Sequence, residues 1–234
     1  MKSISKIGML LFIVVGTFGS FIESTYALSG SIRVHYSNNN TKPTYDYTKK
    51  HGEAMGYNVY QYLNKDNSLV LHQLSSSDVF VIHTRGSGGL IQMGSEQYPL
   101  PNEPTRTTYL SGTNGNNDTI RSVSSLSSGS LNNLKLAIYY GMDVGYTGSV
   151  YGDICQQTIN KGAQAAVAWR GVMVTSEANE WNRLFFEKAK TDNIVESFRH
   201  ADYWLRYTIS EDAATRMGSS NRNEKGNIYG VIHK

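Results

Sequence analysis

Apolar residues along the chain fall into two rhythms that alternate. Residues 31–36, SIRVHY, alternate polar and apolar and predict a strand. Residues 57–63, YNVYQYL, are β-branched and aromatic and predict a second. Residues 79–82 are continuously apolar, as in a strand covered on both faces, and 136–140 and 163–169 read the same way. Between these runs the apolar spacing becomes helical. Helices are expected over 45–55, 68–74, 151–161, 175–190 and 194–207. In the last two, Trp181, Leu184, Phe185 and Ala189, and then Phe198, Ala201, Tyr203, Trp204 and Leu205, form stripes expected to face a core. Residues 227–233 predict a final strand. Strands alternating with helices throughout imply an α/β fold: a three-layer sandwich with a mostly parallel sheet, helices on both faces and right-handed crossovers.

Two of the strands run into glycine-rich turns. One is His83-Thr-Arg-Gly-Ser-Gly-Gly89; the other is Gly141-Met-Asp-Val-Gly-Tyr-Thr-Gly148. In an open α/β sheet the working groups lie beyond the carboxyl ends of the strands, so these turns are the place to look for chemistry. The second offers Met142, Asp143, Tyr146 and Thr147, none of them a strong nucleophile. Residues 98–130 are poor in apolar side chains and read as a long excursion with a helix near 119–126. The Asn114–Asp118 spacing lacks the glycine and glutamate of a calcium loop and reads as turn chemistry.

Composition narrows the function. Lys2 and Lys6, the apolar run 7–22 and the small residues at Thr25 and Ala27 form a secretory signal peptide, with cleavage expected after Ala27. Residues 28–234 are then expected to form a single domain, secreted or held outside the cell envelope, with no membrane contact after cleavage. The polar, turn-rich composition is common in exported bacterial proteins. The net charge of the full chain is +3, and it falls by one when Lys2, Lys6 and Glu23 are set aside. So small a surplus argues against nucleic acid and against an anionic membrane as partner. Cys155 is the single cysteine, so no intramolecular disulfide can form. No metal-ligand spacing, P-loop, dinucleotide fingerprint or G-x-S-x-G elbow occurs, and no cofactor or metal is expected.

The order of elements from about Ser77 to Leu205 resembles the caspase-like cysteine peptidases: the caspase, gingipain, clostripain and CHAT group. Asp78-Val-Phe-Val-Ile-His-Thr-Arg-Gly86 resembles the strand that ends in that family's His-Gly. Leu134-Lys-Leu-Ala-Ile-Tyr-Tyr-Gly-Met-Asp-Val-Gly145 resembles the strand that ends in the catalytic Cys. Lys161-Gly-Ala-Gln-Ala-Ala-Val-Ala-Trp169 and Glu196-Ser-Phe-Arg-His-Ala-Asp202 resemble the next strand and the late helix. The resemblance implies a caspase-like sheet with a peptidase site between the two strand ends. It also puts Arg85 at the position of the catalytic His and Met142 at that of the Cys. A thioether has no proton to lose, and a guanidinium stays charged near neutral pH, so neither can do the family's chemistry.

Two readings follow. In the first, the chain is a pseudoenzyme that binds a peptide or protein partner through Gly86, Ser87, Gly145 and Tyr146, with an Arg85–Asp143 ion pair filling the space of the lost dyad. In the second, it is a divergent cysteine endopeptidase using Cys155 and a histidine such as His83. Two bland alternatives stand beside these: His83 as a hydrogen-bonded core histidine, and Cys155 as a packed, inert thiol.

Overall fold

The computed structural model describes residues 30–94, 107–115 and 117–233. The expected leader, residues 1–27, lies outside these, as does the stretch 95–106. The main sheet has six strands: β1 Ser31–Tyr36, β2 Asn58–Leu63, β3 Val79–His83, β8 Leu136–Tyr140, β9 Ala165–Trp169 and β10 Arg222–Gly226. Their order is β10-β9-β8-β3-β1-β2. Five strands run parallel, and β10 alone is antiparallel, against β9. β3, β8 and β9 are buried along their whole length, as their unbroken apolar sequences require.

Helices cover both faces. On the first lie α1 Lys42–Ala54, α4 Thr175–Lys188, α5 Ile194–Thr208 and α6 Glu211–Met217. Their core holds Ile32, Val34, Val79, Val81, Leu136, Ile138 and Tyr140 with Trp169, Trp181, Phe185 and Phe198. On the second lie α2 Asn67–Ser75 and α3 Ile154–Asn160, over Phe80, Ile82, Ala137, Tyr139 and Ala166. Alternation along each strand sends successive side chains to opposite layers. Side-chain caps explain several helix starts: Asp66, Asp153, Asn193 and Ser210 each accept from a backbone N–H in the first turn of the helix that follows.

Three expectations need correction. Residues 227–233 do not form a strand; the last strand is β10, whose sequence RNEKG carries no apolar alternation. It is held by side chains that the pattern hides. Arg222 is buried, ion-paired with Asp202 and Glu224, and lies over the rings of Trp181 and Phe198. Helix α6 was not foreseen, because it is short and mostly polar. Third, part of the polar excursion is a small second sheet rather than loop and helix. Its strands are β4 Gly86–Ser87, β5 Leu90–Met93, β6 Thr108–Ser111 and β7 Ile120–Ser122, in that order, followed by a 3-10 turn at Val123–Ser125. Strands this short carry too few residues for a period-2 signal, yet Ile91 and Leu110 enter the second core.

Candidate ligand-binding cleft

β3 and β8 are neighbours, with His83 beside Tyr140 in the register. The chain therefore leaves both strands at one edge, and the two glycine-rich turns are pressed together. Thr84 N donates to Tyr140 O at 3.2 Å, and Gly89 N donates to Asp143 O at 2.9 Å. Gly86 has to be glycine: a Cβ there would stand 2.3 Å from Val144 Cγ2 and 2.7 Å from the Met142 carbonyl oxygen. On the far side, Gly145 N donates to Trp169 O at 2.7 Å, and a Cβ on Gly145 would stand 2.8 Å from Ala168 O. Both glycines serve close packing of neighbouring strand ends.

A cleft of about 360 Å³ opens at this junction. Arg85, Gly86 and Gln92 form one wall, Gly141 and Met142 another, and Met173 with Thr175 at the start of α4 a third; His83 and Thr84 complete the lining. Arg85 and Met142 thus face the same space. Met142 is 42% exposed and Arg85 is also exposed. Thr84 Oγ1 donates to Gln92 O at 2.8 Å and Gln92 N donates to Arg85 O at 2.9 Å, which fixes the Arg85 backbone against β5.

The Arg85–Asp143 pair does not form. Asp143 sits in the left-handed region at φ 56°, a conformation aspartate tolerates better than most residues. Its carboxylate turns away from Arg85 and accepts from Gly171 N at 2.6 Å, while its own N–H donates to Gly171 O at 3.1 Å. Asp143 is a clamp between the turns after β8 and β9. Of the four residues expected to bind, Gly86 lines the cleft, Ser87 is exposed on β4, Gly145 is buried against β9, and Tyr146 is 51% exposed beyond it.

His83 is buried on the first face and belongs to a hydrogen-bonded chain. Thr44 Oγ1 donates to Asn179 Oδ1 at 2.8 Å, which commits its one hydrogen, so at 2.6 Å it accepts from His83 Nδ1. Asn179 Nδ2 donates on to Asn40 O at 2.9 Å. This places a proton on Nδ1 of the ring. Burial pushes its pKa down to about 3, against a smaller upward pull from the hydrogen bond with Asn179. A ring so reluctant to take a proton is a poor general base near neutral pH. Beside it, Asn182 is fully buried; it accepts from Tyr140 Oη at 3.2 Å and donates to Thr44 O at 3.1 Å and Thr48 Oγ1 at 2.9 Å. Asn179 and Asn182 stand three apart on the face of a helix that buries Trp181 and Phe186, and polar residues on such a face were the available signal.

Cys155 has no access to this site. It is a residue of α3, fully buried in the second core, whereas His83 lies on the first face, so the sheet itself separates them. Burial, with Asp153 nearby, raises its thiol pKa well above the ordinary value. Among the described residues no group of three His, Cys, Asp or Glu could hold a metal ion, and no helix is long and apolar enough to cross a membrane.

No family model matches the chain, and no curated protein matches it. Among solved structures it is similar to the Arg-specific cysteine proteinase gingipain R, with a TM-score of 0.58 and 7% sequence identity. The match covers 86% of this chain and 48% of the proteinase, so the chain spans about half the length of that protein. The fold is caspase-like: a mostly parallel sheet between two helical layers, as in gingipain R.

Proposed function

We infer that the protein is a secreted caspase-fold pseudo-peptidase that binds a peptide or protein segment in the cleft at the carboxyl ends of β3 and β8 without cutting it. The observation that carries this reading is the pairing of Arg85 and Met142 across that cleft, with the lone thiol sealed on the opposite face of the sheet. Peptide hydrolysis by this fold needs a thiolate and a base at the strand ends, and neither side chain supplies one. What the cleft offers suits binding. Met142 and Met173 are flexible, polarisable apolar groups that adapt to varied side chains, and Arg85 adds a cation for a ligand carboxylate or carbonyl.

An immobilised peptide library provides the test. The protein is expected to enrich a subset of peptides and leave them intact by mass spectrometry. Met142→Trp, which crowds the cleft mouth, should reduce the enrichment at least about tenfold, equivalent to roughly 1.4 kcal/mol. Peptide cleavage that disappears in Cys155→Ser would overturn the reading, and so would enrichment indifferent to Met142→Trp.

A further inference from the structure

The two edges of the main sheet are protected very differently. β10 carries Arg222, Glu224 and Lys225 in five residues, and charges of this kind discourage the docking of another strand. β2, NVYQYL, has no charge, no proline and no glycine, and Val59, Tyr60 and Tyr62 are strongly β-prone. Its hydrogen-bonding pattern shows which groups face outward. In the parallel ladder Asn58 N donates to Gly30 O and Asn64 N donates to Tyr36 O. Even-numbered residues therefore bond inward to β1, and Val59, Gln61 and Leu63 present their N–H and C=O to the outside.

We propose that β2 is a dimerisation edge, where two copies of this chain join antiparallel through β2 into one continuous sheet. The strand is complementary to itself in one register, centred on Gln61. A twofold axis normal to the sheet keeps each layer on its own side, so residue 61 meets residue 61 of the partner subunit. Val59 then meets the partner's Leu63, and Tyr60 meets the partner's Tyr62. The outward groups of Val59, Gln61 and Leu63 fall in the hydrogen-bonded positions of that ladder and are all satisfied. On one face the apolar Val59–Leu63 pairs continue the core beneath α1, against which both already pack. On the other face the Tyr60–Tyr62 pairs bring aromatic rings side by side, with Tyr60 44% exposed in the single chain. No like charges meet along the strand, and flanking α1 bears both signs at Lys49, Lys50 and Glu53. Because the strands of the two subunits run in opposite directions, their clefts open at opposite ends of the joined sheet. The assembly is a divalent binder that bridges two ligands rather than clamping one.

Sedimentation velocity over a micromolar concentration series should show a reversible dimer. Gln61→Pro removes an outward N–H and leaves the β1–β2 ladder intact, and it should abolish association with an unchanged circular dichroism spectrum. Should that variant misfold, Gln61→Lys, which places like charges on the axis, should still weaken association by at least about tenfold. Register is read by crosslinking, with little background because Cys155 is buried. Gln61→Cys should form a disulfide-linked dimer on mild oxidation, since directly opposed residues lie within disulfide reach at about 5.5 Å between Cα atoms. Tyr60→Cys alone should not, and a mixture of Tyr60→Cys with Tyr62→Cys should. A monomer at every concentration would overturn the proposal, as would a dimer that survives Gln61→Lys or fails to crosslink through Gln61→Cys.

Discussion

The two faces of the main sheet carry cores of different character, the first the larger. The first is aromatic and wired with polar groups: Trp169, Trp181, Phe185 and Phe198 pack together, and Asn179, Asn182, Thr44 and Thr48 thread hydrogen bonds between α1, α4 and the strand ends. The second is mainly aliphatic; its tyrosine, Tyr139, makes a single local bond to Thr158 at 2.8 Å. Each side also buries a histidine. His83 is satisfied by Thr44, whereas His35 stacks on Tyr62 at 4.7 Å with neither ring nitrogen hydrogen-bonded. The cleft opens where the polar wiring reaches the strand ends. The second core conceals the thiol. Location relative to the sheet, more than residue type, decides which groups are available for binding.

The contrast can be tested at three levels. Removing the hub of the wired side should cost most: Asn182→Leu leaves the buried Tyr140 hydroxyl without its acceptor and breaks the bonds to Thr44 O and Thr48 Oγ1, and should lower unfolding stability by about 3 kcal/mol, while Tyr139→Phe opposite should cost only about 1 kcal/mol, both by urea denaturation. Equal losses would erase the distinction.

Acid comes next. Burial holds both His35 and His83 near pKa 3 from an ordinary 6.5. Between those values the unfolded chain binds protons that the folded chain refuses, so stability falls as pH falls, by about 1.4 kcal/mol per pH unit for each histidine. It is fully present above pH 6.5. His83→Phe should lower the acid slope of unfolding stability by about 1.4 kcal/mol per pH unit, and an unchanged slope would mean that His83 is not held neutral.

The smallest effect belongs to the thiol. Cys155→Ala should cost about 1 kcal/mol for the small cavity it leaves. In the native protein Cys155 should react with a thiol reagent no faster than the chain unfolds, whereas rapid native labelling would place it outside the core.

Much of the sheet was legible because its strands show either alternation, as β1 does, or an unbroken apolar run, as β8 does. Legibility failed where stability comes from pairing rather than periodicity. β10 is polar, and its strand character depends on an ion-paired Arg222 that the linear pattern cannot see. The strands of the second sheet are too short to declare themselves. In the cleft, the turns after β3 and β8 identified Arg85 and Met142, but Gln92 comes from β5, and Met173 and Thr175 come from the entry to α4. Asp143 misled because sequence adjacency to Met142 suggested a partner across the cleft, whereas its left-handed backbone turns the carboxylate toward Gly171.

That clamp has a consequence for affinity. Gly171 is held from both sides by one residue, and Gly89 is tied to the same residue's carbonyl, so three loops around the cleft share a single anchor. Loops immobilised in this way have lost their conformational entropy during folding, and a ligand need not supply it again. The mouth of the cleft is preorganised, and its shape persists independently of whether any reaction takes place there.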